Sequence, residues 1–342
     1  MSNTLTAADN LTTIIAKNIK KAQNEEVFFE EIYTNPDTTI GKNEFLFFIK
    51  PEITLKSDTI QLESILELVQ KKIEEFGLKI HNIKILSAKY LEKYNIIAQH
   101  YGVINKIATN AKENMSETAN EKFTEIYGKH VSEAKVLGGV EFLEQYPSFN
   151  GESLDYLWQN KKCTKLAGGT YALDVKLDDE IVYLINGFHA RQLQQFTSKG
   201  RSIVVMTLSG NLSWADARNN FIGLTFPANA NDGSIRKELL KNKDIFGLAE
   251  VSQGMNGVHL SAGPVEALIE LRRYNSNFAD SNKIKDYTSF AFGKRLQTEF
   301  KDSFDKIISN VNVNDNGKLV SVFDITEEKD AEDAIEILKK FF

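Results

Sequence analysis

The stretch Asn256-Gly257-Val258-His259-Leu260-Ser261-Ala262-Gly263-Pro264 places a histidine three residues after an asparagine and shortly before a proline suited to open a helix. A helix start presents unpaired N–H groups and favours anions. An imidazole beside a bound phosphate acts as a nucleophile when a hydroxyl or carboxylate orients its other nitrogen. Ser261 and Glu266 are close enough in sequence to orient it. Taken alone, a histidine in such a loop is more often a packed structural residue. Other stretches carry matching chemistry. Lys50 ends the apolar run in "FIKPE", and Arg218, Thr225 and Arg236 lie in "RNNFIGLTFPANANDGSIR". Each also has a plainer reading: a solvated strand-end lysine, an exposed helix arginine, an arginine paired with Glu238.

Several other chemistries are excluded. The chain has no GxxxxGK[ST] loop, no GxGxxG and no HExxH. The glycine pairs of "VLGGVEF" and "LAGGTYALD" lack the lysine and serine of a phosphate loop and read as loop punctuation. With 42% apolar and 26% charged residues the composition is that of a globular protein, and 22 Phe and 11 Tyr argue for packed cores. A net charge of −6 gives no whole-protein attraction for nucleic acid, so an anionic ligand needs a local cationic pocket. Cys163 is the only cysteine, which rules out internal disulfides and cysteine-based zinc sites. No apolar run reaches the ~20 residues that span a bilayer, and "MSNTLTAADNLTT" lacks signal-peptide features. The expectation is a soluble cytoplasmic protein without a membrane or nucleic-acid partner.

The elements that must hold these residues follow from periodicity. Residues 1–41 read as an N-terminal arm with one helical stretch, "LTTIIAKNIKKA". Residues 44–52 read as a buried strand halted by Pro51. Leu62, Ile65, Leu66, Val69, Ile73 and Phe76 share one helical face, with Asp58 and Gln61 as a capping pair and Gly77 as the stop. "LKIHNIKILS" reads as a strand and 89–106 as another helix. Residues 107–180 are polar and loop-rich and read as an insertion. "EIVYLINGFHARQLQQF" and the strand "RSIVVMTLSG" follow, then a helix opened by Ser213 and Asp216. Residues 276–342 read as a C-terminal extension with a strand "KLVSVFDI" and an acidic helix.

Taken in order, Ile49-Lys50-Pro51-Glu52, then Arg218 with Gly223 and Thr225-Phe226-Pro227, then Gly233-Ser234-Ile235-Arg236, then Asn256-Gly257-Val258-His259 resemble the motif series of the nucleoside diphosphate kinase family. The resemblance covers 42–106 and 181–275. It implies an α+β fold, a ferredoxin-like βαββαβ antiparallel sheet with helices, to which an inserted helical and loop subdomain and the C-terminal extension are added. It also implies that His259 takes the γ-phosphoryl group of ATP or GTP, with Mg²⁺ carried by the nucleotide and no protein metal cage. Lys50, Arg218 and Arg236 would hold phosphate oxygens, Thr225 would add a hydroxyl and Asn256 would contact the sugar. Tyr101 would stand near the histidine, with Tyr94 competing for that place.

The chain departs from the family where Leu260-Ser261-Ala262 replaces glycine–serine–aspartate and where 107–180 enter. Phe188 and Tyr183 are candidates to stack a base there. The resemblance implies a phosphotransferase with a nucleoside diphosphate or a specialised small-molecule acceptor. Two alternatives stand beside it: a nucleotidyltransferase on the same scaffold, and a non-catalytic nucleotide-binding module. A homodimer is the expected assembly.

Overall fold

Seven consecutive buried residues, Asn43–Ile49, form the central strand that ends in Lys50. Burial on both faces requires layers on both sides of a sheet, and the computed structural model, which describes residues 11–177 and 179–342, provides them. The first ten residues of the expected arm lie outside the described residues. The described residues divide into two compact units, one of residues up to 94 together with 199–342, the other within 95–198.

The first unit is built on a five-stranded sheet in the order Phe29–Thr34, Lys79–Ser87, Ser202–Gly210, Asn43–Ile49, Val258–Leu260, with every neighbour antiparallel. Leaving aside the first edge strand, the chain runs strand–helix–strand–strand–helix–strand, and its four strands lie in the order fourth, first, third, second. That is the order of a ferredoxin-like βαββαβ unit. One sheet face carries Phe45, Phe47, Ile49, Ile85, Val204, Met206, Val258 and Leu260 against the helices Leu11–Asn24, Leu62–Glu75 and Ile235–Lys241. Fully burying a phenylalanine such as Phe45 or Phe47 is worth roughly 2–3 kcal/mol. The helix Leu62–Glu75 buries Ile65, Leu66, Val69 and Ile73 as its periodicity predicts. The expected Asp58–Gln61 cap is not used; Gln61 holds the cap position without a side-chain bond.

The other face lies beneath the helix Pro264–Asn275, which opens on its proline. One full row crosses the sheet there: Glu31, Lys84, Val205, Phe48 and His259 are successive cross-strand partners. Asn275, in the helix's last turn, accepts from Lys84 Nζ at 2.7 Å. The expected helix 89–106 is broken into Ala88–Lys93, Ile96–His100 and Gly102–Thr109. Asn95, with φ 53°, is left-handed and lies at the first break.

The second unit has its own four-stranded sheet, Lys135–Gly138, Glu180–Ile185, Thr170–Leu177, Thr164–Ala167, whose first pair is parallel. "EIVYLI", expected alongside the His259 core, belongs here. It pairs with the strand just before it in sequence, so its closure cost is small. One apolar cluster in this unit gathers around Phe123 and Tyr183 and another around Phe142 and Trp158.

The C-terminal residues belong to the first unit. Within "KLVSVFDI" only Lys318–Ser321 is strand. Ser321 Oγ accepts from Asp324 N and starts a short helix, Val322–Thr326. No helix among the described residues is long and apolar enough to cross a membrane.

Candidate functional site

His259 lies in the short edge strand Val258–Leu260, directly opposite Phe48. Its ring stacks on Phe48 at 4.4 Å with 19° between planes, and Phe48 rests in turn on Tyr274 at 5.4 Å. Its Nε2 lies 3.0 Å from Glu270 Oε2, and Ser261 Oγ donates to the same oxygen at 2.5 Å. Glu270 is only 2% exposed. Where the carboxylate is ionised it accepts, which places a hydrogen on Nε2. The flat contact with Phe48 and the bond to Glu270 hold the ring plane from two directions.

Glu270 is the residue that sequence reasoning missed. It lies in the middle of the helix that folds back over the sheet, 11 positions beyond His259. The available signal was a carboxylate that would be buried on the helix face turned to the sheet. Glu266, expected to orient the histidine, does something else: its Oε2 accepts from Ala262 N at 3.0 Å. Position 266 is in the first turn, where the carboxylate caps the loop instead of reaching the ring. Burial, with Glu270 beside it, holds the Glu266 carboxyl well above the usual carboxylate range. The folded state therefore keeps a proton that the unfolded chain releases above its ordinary 4.5. Stability is lost as pH rises from there towards the folded value. A Glu266→Gln variant keeps the acceptor and removes this cost. Its urea midpoint is expected to exceed that of the native protein at about pH 8 and to match it near about pH 4; an equal gain at both would show that titration is not the cause.

Lys50 lies two residues beyond Phe48 on the same side of the strand pair, about 7 Å along the strand from the His259 row. Its Nζ donates to Asn256 Oδ1 at 2.7 Å and its N–H to Gly257 O at 2.9 Å. Burial pushes the ammonium down to about 8, opposed by Glu52 and assisted by Arg236. Asn256 is 1% exposed and donates to Thr225 O and Gln253 O, both at 3.1 Å. Gly257 has φ 79°, and a side chain there would strike Leu239 Cδ1 at 2.4 Å. Its N–H donates to Glu52 Oε1 at 2.9 Å, so the turn before His259 is tied to the turn after Lys50.

The two arginines meet on the outer side of the histidine strand. Arg236 Nη2 donates to Val258 O at 3.0 Å and Nη1 to Gly223 O at 2.8 Å. Arg218 Nη1 donates to Leu260 O at 3.3 Å. Val258 and Leu260 flank His259, so the guanidinium groups cover the carbonyls that an edge strand leaves outward. Thr225 is exposed, and its carbonyl accepts from Asn256 Nδ2.

Three of the four aromatic candidates, Tyr101, Tyr183 and Phe188, belong to the second unit. Tyr101 belongs to the second unit, where its ring meets His100, His189 and Phe196. Tyr183 packs on Phe123 and Tyr127, and Phe188 on Trp158 and Tyr171, as parts of that unit's cores. Tyr94 packs between Tyr90 and Phe278.

Chemically, the strand carries an imidazole bonded to a buried carboxylate, a buried lysine lies at the turn before it, and two arginines bond the carbonyls on either side of the histidine. This set suits a nucleophile acting on an anionic centre. No family model and no curated protein matches the chain. Among solved structures it is similar to a nucleoside diphosphate kinase from Encephalitozoon cuniculi, at 14% identity and a TM-score of 0.32, covering 72% of this chain and 95% of that one. It is also similar to an NDP kinase from Pyrobaculum aerophilum, at 17% identity and a TM-score of 0.32, covering 71% of this chain and 99% of that one. Likeness at this level does not bear on activity.

Proposed function

We propose that this chain is a nucleotide-dependent phosphotransferase resembling nucleoside diphosphate kinase, with His259 as the group that carries phosphate. The observation that supports this reading is the contact of His259 Nε2 with the buried Glu270 carboxylate at 3.0 Å, to which Ser261 Oγ also donates. Nδ1 would attack the γ-phosphorus of ATP or GTP. The N–P bond would form as the bond from γ-phosphorus to the bridging oxygen breaks, and the nucleoside diphosphate would leave with that electron pair. The phosphoryl group would then pass to a nucleoside diphosphate or a specialised small-molecule acceptor. Lys50, Arg218 and Arg236 would balance the oxygens' charge, and Asn256 would position Lys50. Magnesium would enter bound to the triphosphate. Glu52, the carboxylate nearest Lys50 in sequence, is tied to Gly257, which fits a site that relies on its cations.

Incubation with γ-labelled ATP or GTP and Mg²⁺, followed by acid and alkali treatment, tests the proposal. Acid-labile, alkali-stable label that chases onto added nucleoside diphosphate is the expected result. Absence of label under all nucleotides sinks it, and label from the α-position would replace it with nucleotidyl transfer. One observation favours a second reading, nucleotide binding without turnover: both terminal nitrogens of Arg236 are already donated to main-chain carbonyls. Tight nucleotide binding with no transfer to any acceptor would establish that reading instead.

A further inference from the structure

We infer that the acidic pair Glu327–Glu328 is an internal competitor for the anion that Arg218 would bind, so that the C-terminal segment holds the site in a restrained state. The inference rests on the phosphate-site reading of Arg218. Arg218 Nη2 lies 3.8 Å from Glu327 Oε1 and its Nε 3.9 Å from Glu328 Oε1. A third nitrogen, Nη1, donates to Leu260 O, beside His259. Two carboxylates thus stand where phosphate oxygens would stand if Arg218 served His259.

The segment is seated against the turn that follows the histidine. Glu328 N donates to Ala262 O at 2.9 Å. A side chain at Gly263 would strike Thr326 O at 2.5 Å and Glu327 Cα at 3.1 Å, so only glycine lets the segment come this close. Both sides are anchored. Thr326 is fully buried, and Asp330 accepts from Lys42 Nζ, from Asn43 Nδ2 and from Trp214 N. Between these anchors Glu327 and Glu328 remain 48% and 40% exposed at the side chain. Exposed pairs at such distances are weak and salt-sensitive, which is what a displaceable competitor requires. A polyphosphate, with more charge and shorter bonds, would displace the carboxylates without unfolding the segment.

The test is calorimetric binding of inorganic tripolyphosphate and of Mg-ATP to the full chain. A Glu327→Gln/Glu328→Gln protein is expected to bind both about threefold to tenfold tighter at low salt, with the gain fading at high salt. Adding Arg218→Ala should erase the gain. An Asp333→Asn/Glu336→Gln protein removes the same charge elsewhere on the tail and should show no gain. If the native protein binds and the glutamine pair binds no tighter, the competitor role is overturned while the site reading stands. An equal gain in the Asp333/Glu336 control also overturns it, as a general field effect. If no variant binds either probe, both inferences fall. Melting curves check the fold, and should the double variant unfold, Glu327→Gln and Glu328→Gln singly read the same ratio.

Discussion

A His259→Ala protein given γ-labelled ATP and magnesium is expected to carry no acid-labile phosphate, and a Glu270→Gln protein to acquire it about 100-fold or more slowly. The alanine removes the only atom that would bond to phosphorus. The glutamine is subtler. It fills the same buried space and can still accept from Ser261, so the fold should survive. It loses the charge that fixes the imidazole with hydrogen on Nε2 and that balances the ring as positive charge develops during attack. In single-turnover work the loss should appear in the rate of phosphoryl uptake at saturating nucleotide, with nucleotide affinity little changed. An unaltered rate in Glu270→Gln, at an unaltered melting temperature, would reduce Glu270 to a packing residue. Label persisting in His259→Ala would move the nucleophile elsewhere.

Lys50→Met is the second large expected effect, and it acts in opposite senses on binding and stability. The native ammonium titrates at about 8, against an ordinary 10.5, because burial disfavours its charge. Below 8 both folded and unfolded states hold the proton and the folded state bears the full cost, about 3 kcal/mol from the two values. Between about 8 and 10.5 the unfolded chain holds the proton more tightly, so stability rises with pH. Lys84, also buried and lowered to about 8, adds a rise in the same window. Tyr90, pushed up to about 12 by burial, opposes the rise above its ordinary 10.

Methionine at position 50 removes the lysine's contribution but leaves Asn256 Oδ1 without this donor, which costs ~1–3 kcal/mol. Urea unfolding should therefore show a rise between about pH 7 and 10 that is about 2 kcal/mol smaller than in the native protein. Tripolyphosphate affinity should fall at least tenfold, since a desolvated cation is lost. An unchanged pH profile would mean that Lys50 is solvated in solution, and unchanged affinity would remove it from the site.

Residue order alone was enough to find the strands read at 44–52 and 201–210, the helix face of Ile65, Leu66, Val69 and Ile73 and the proline-opened helix at 264, because each is a local matter of period and punctuation. It also singled out His259, Lys50, Arg218, Arg236 and Asn256 by residue type and order along the chain. The partner of His259 was not legible. Period says that Glu270 and Glu266 lie on a helix, but which carboxylate reaches the imidazole depends on how the helix crosses the sheet. The same holds for "EIVYLI", whose apolar run suits either sheet and is assigned by the strand before it. The arginines' hold on Val258 O and Leu260 O, and the approach of Glu327 and Glu328 to Arg218, join residues from 22 to 110 positions apart. Such contacts leave no periodic trace. Burial patterns report that a face is covered, and only the folded chain decides what covers it.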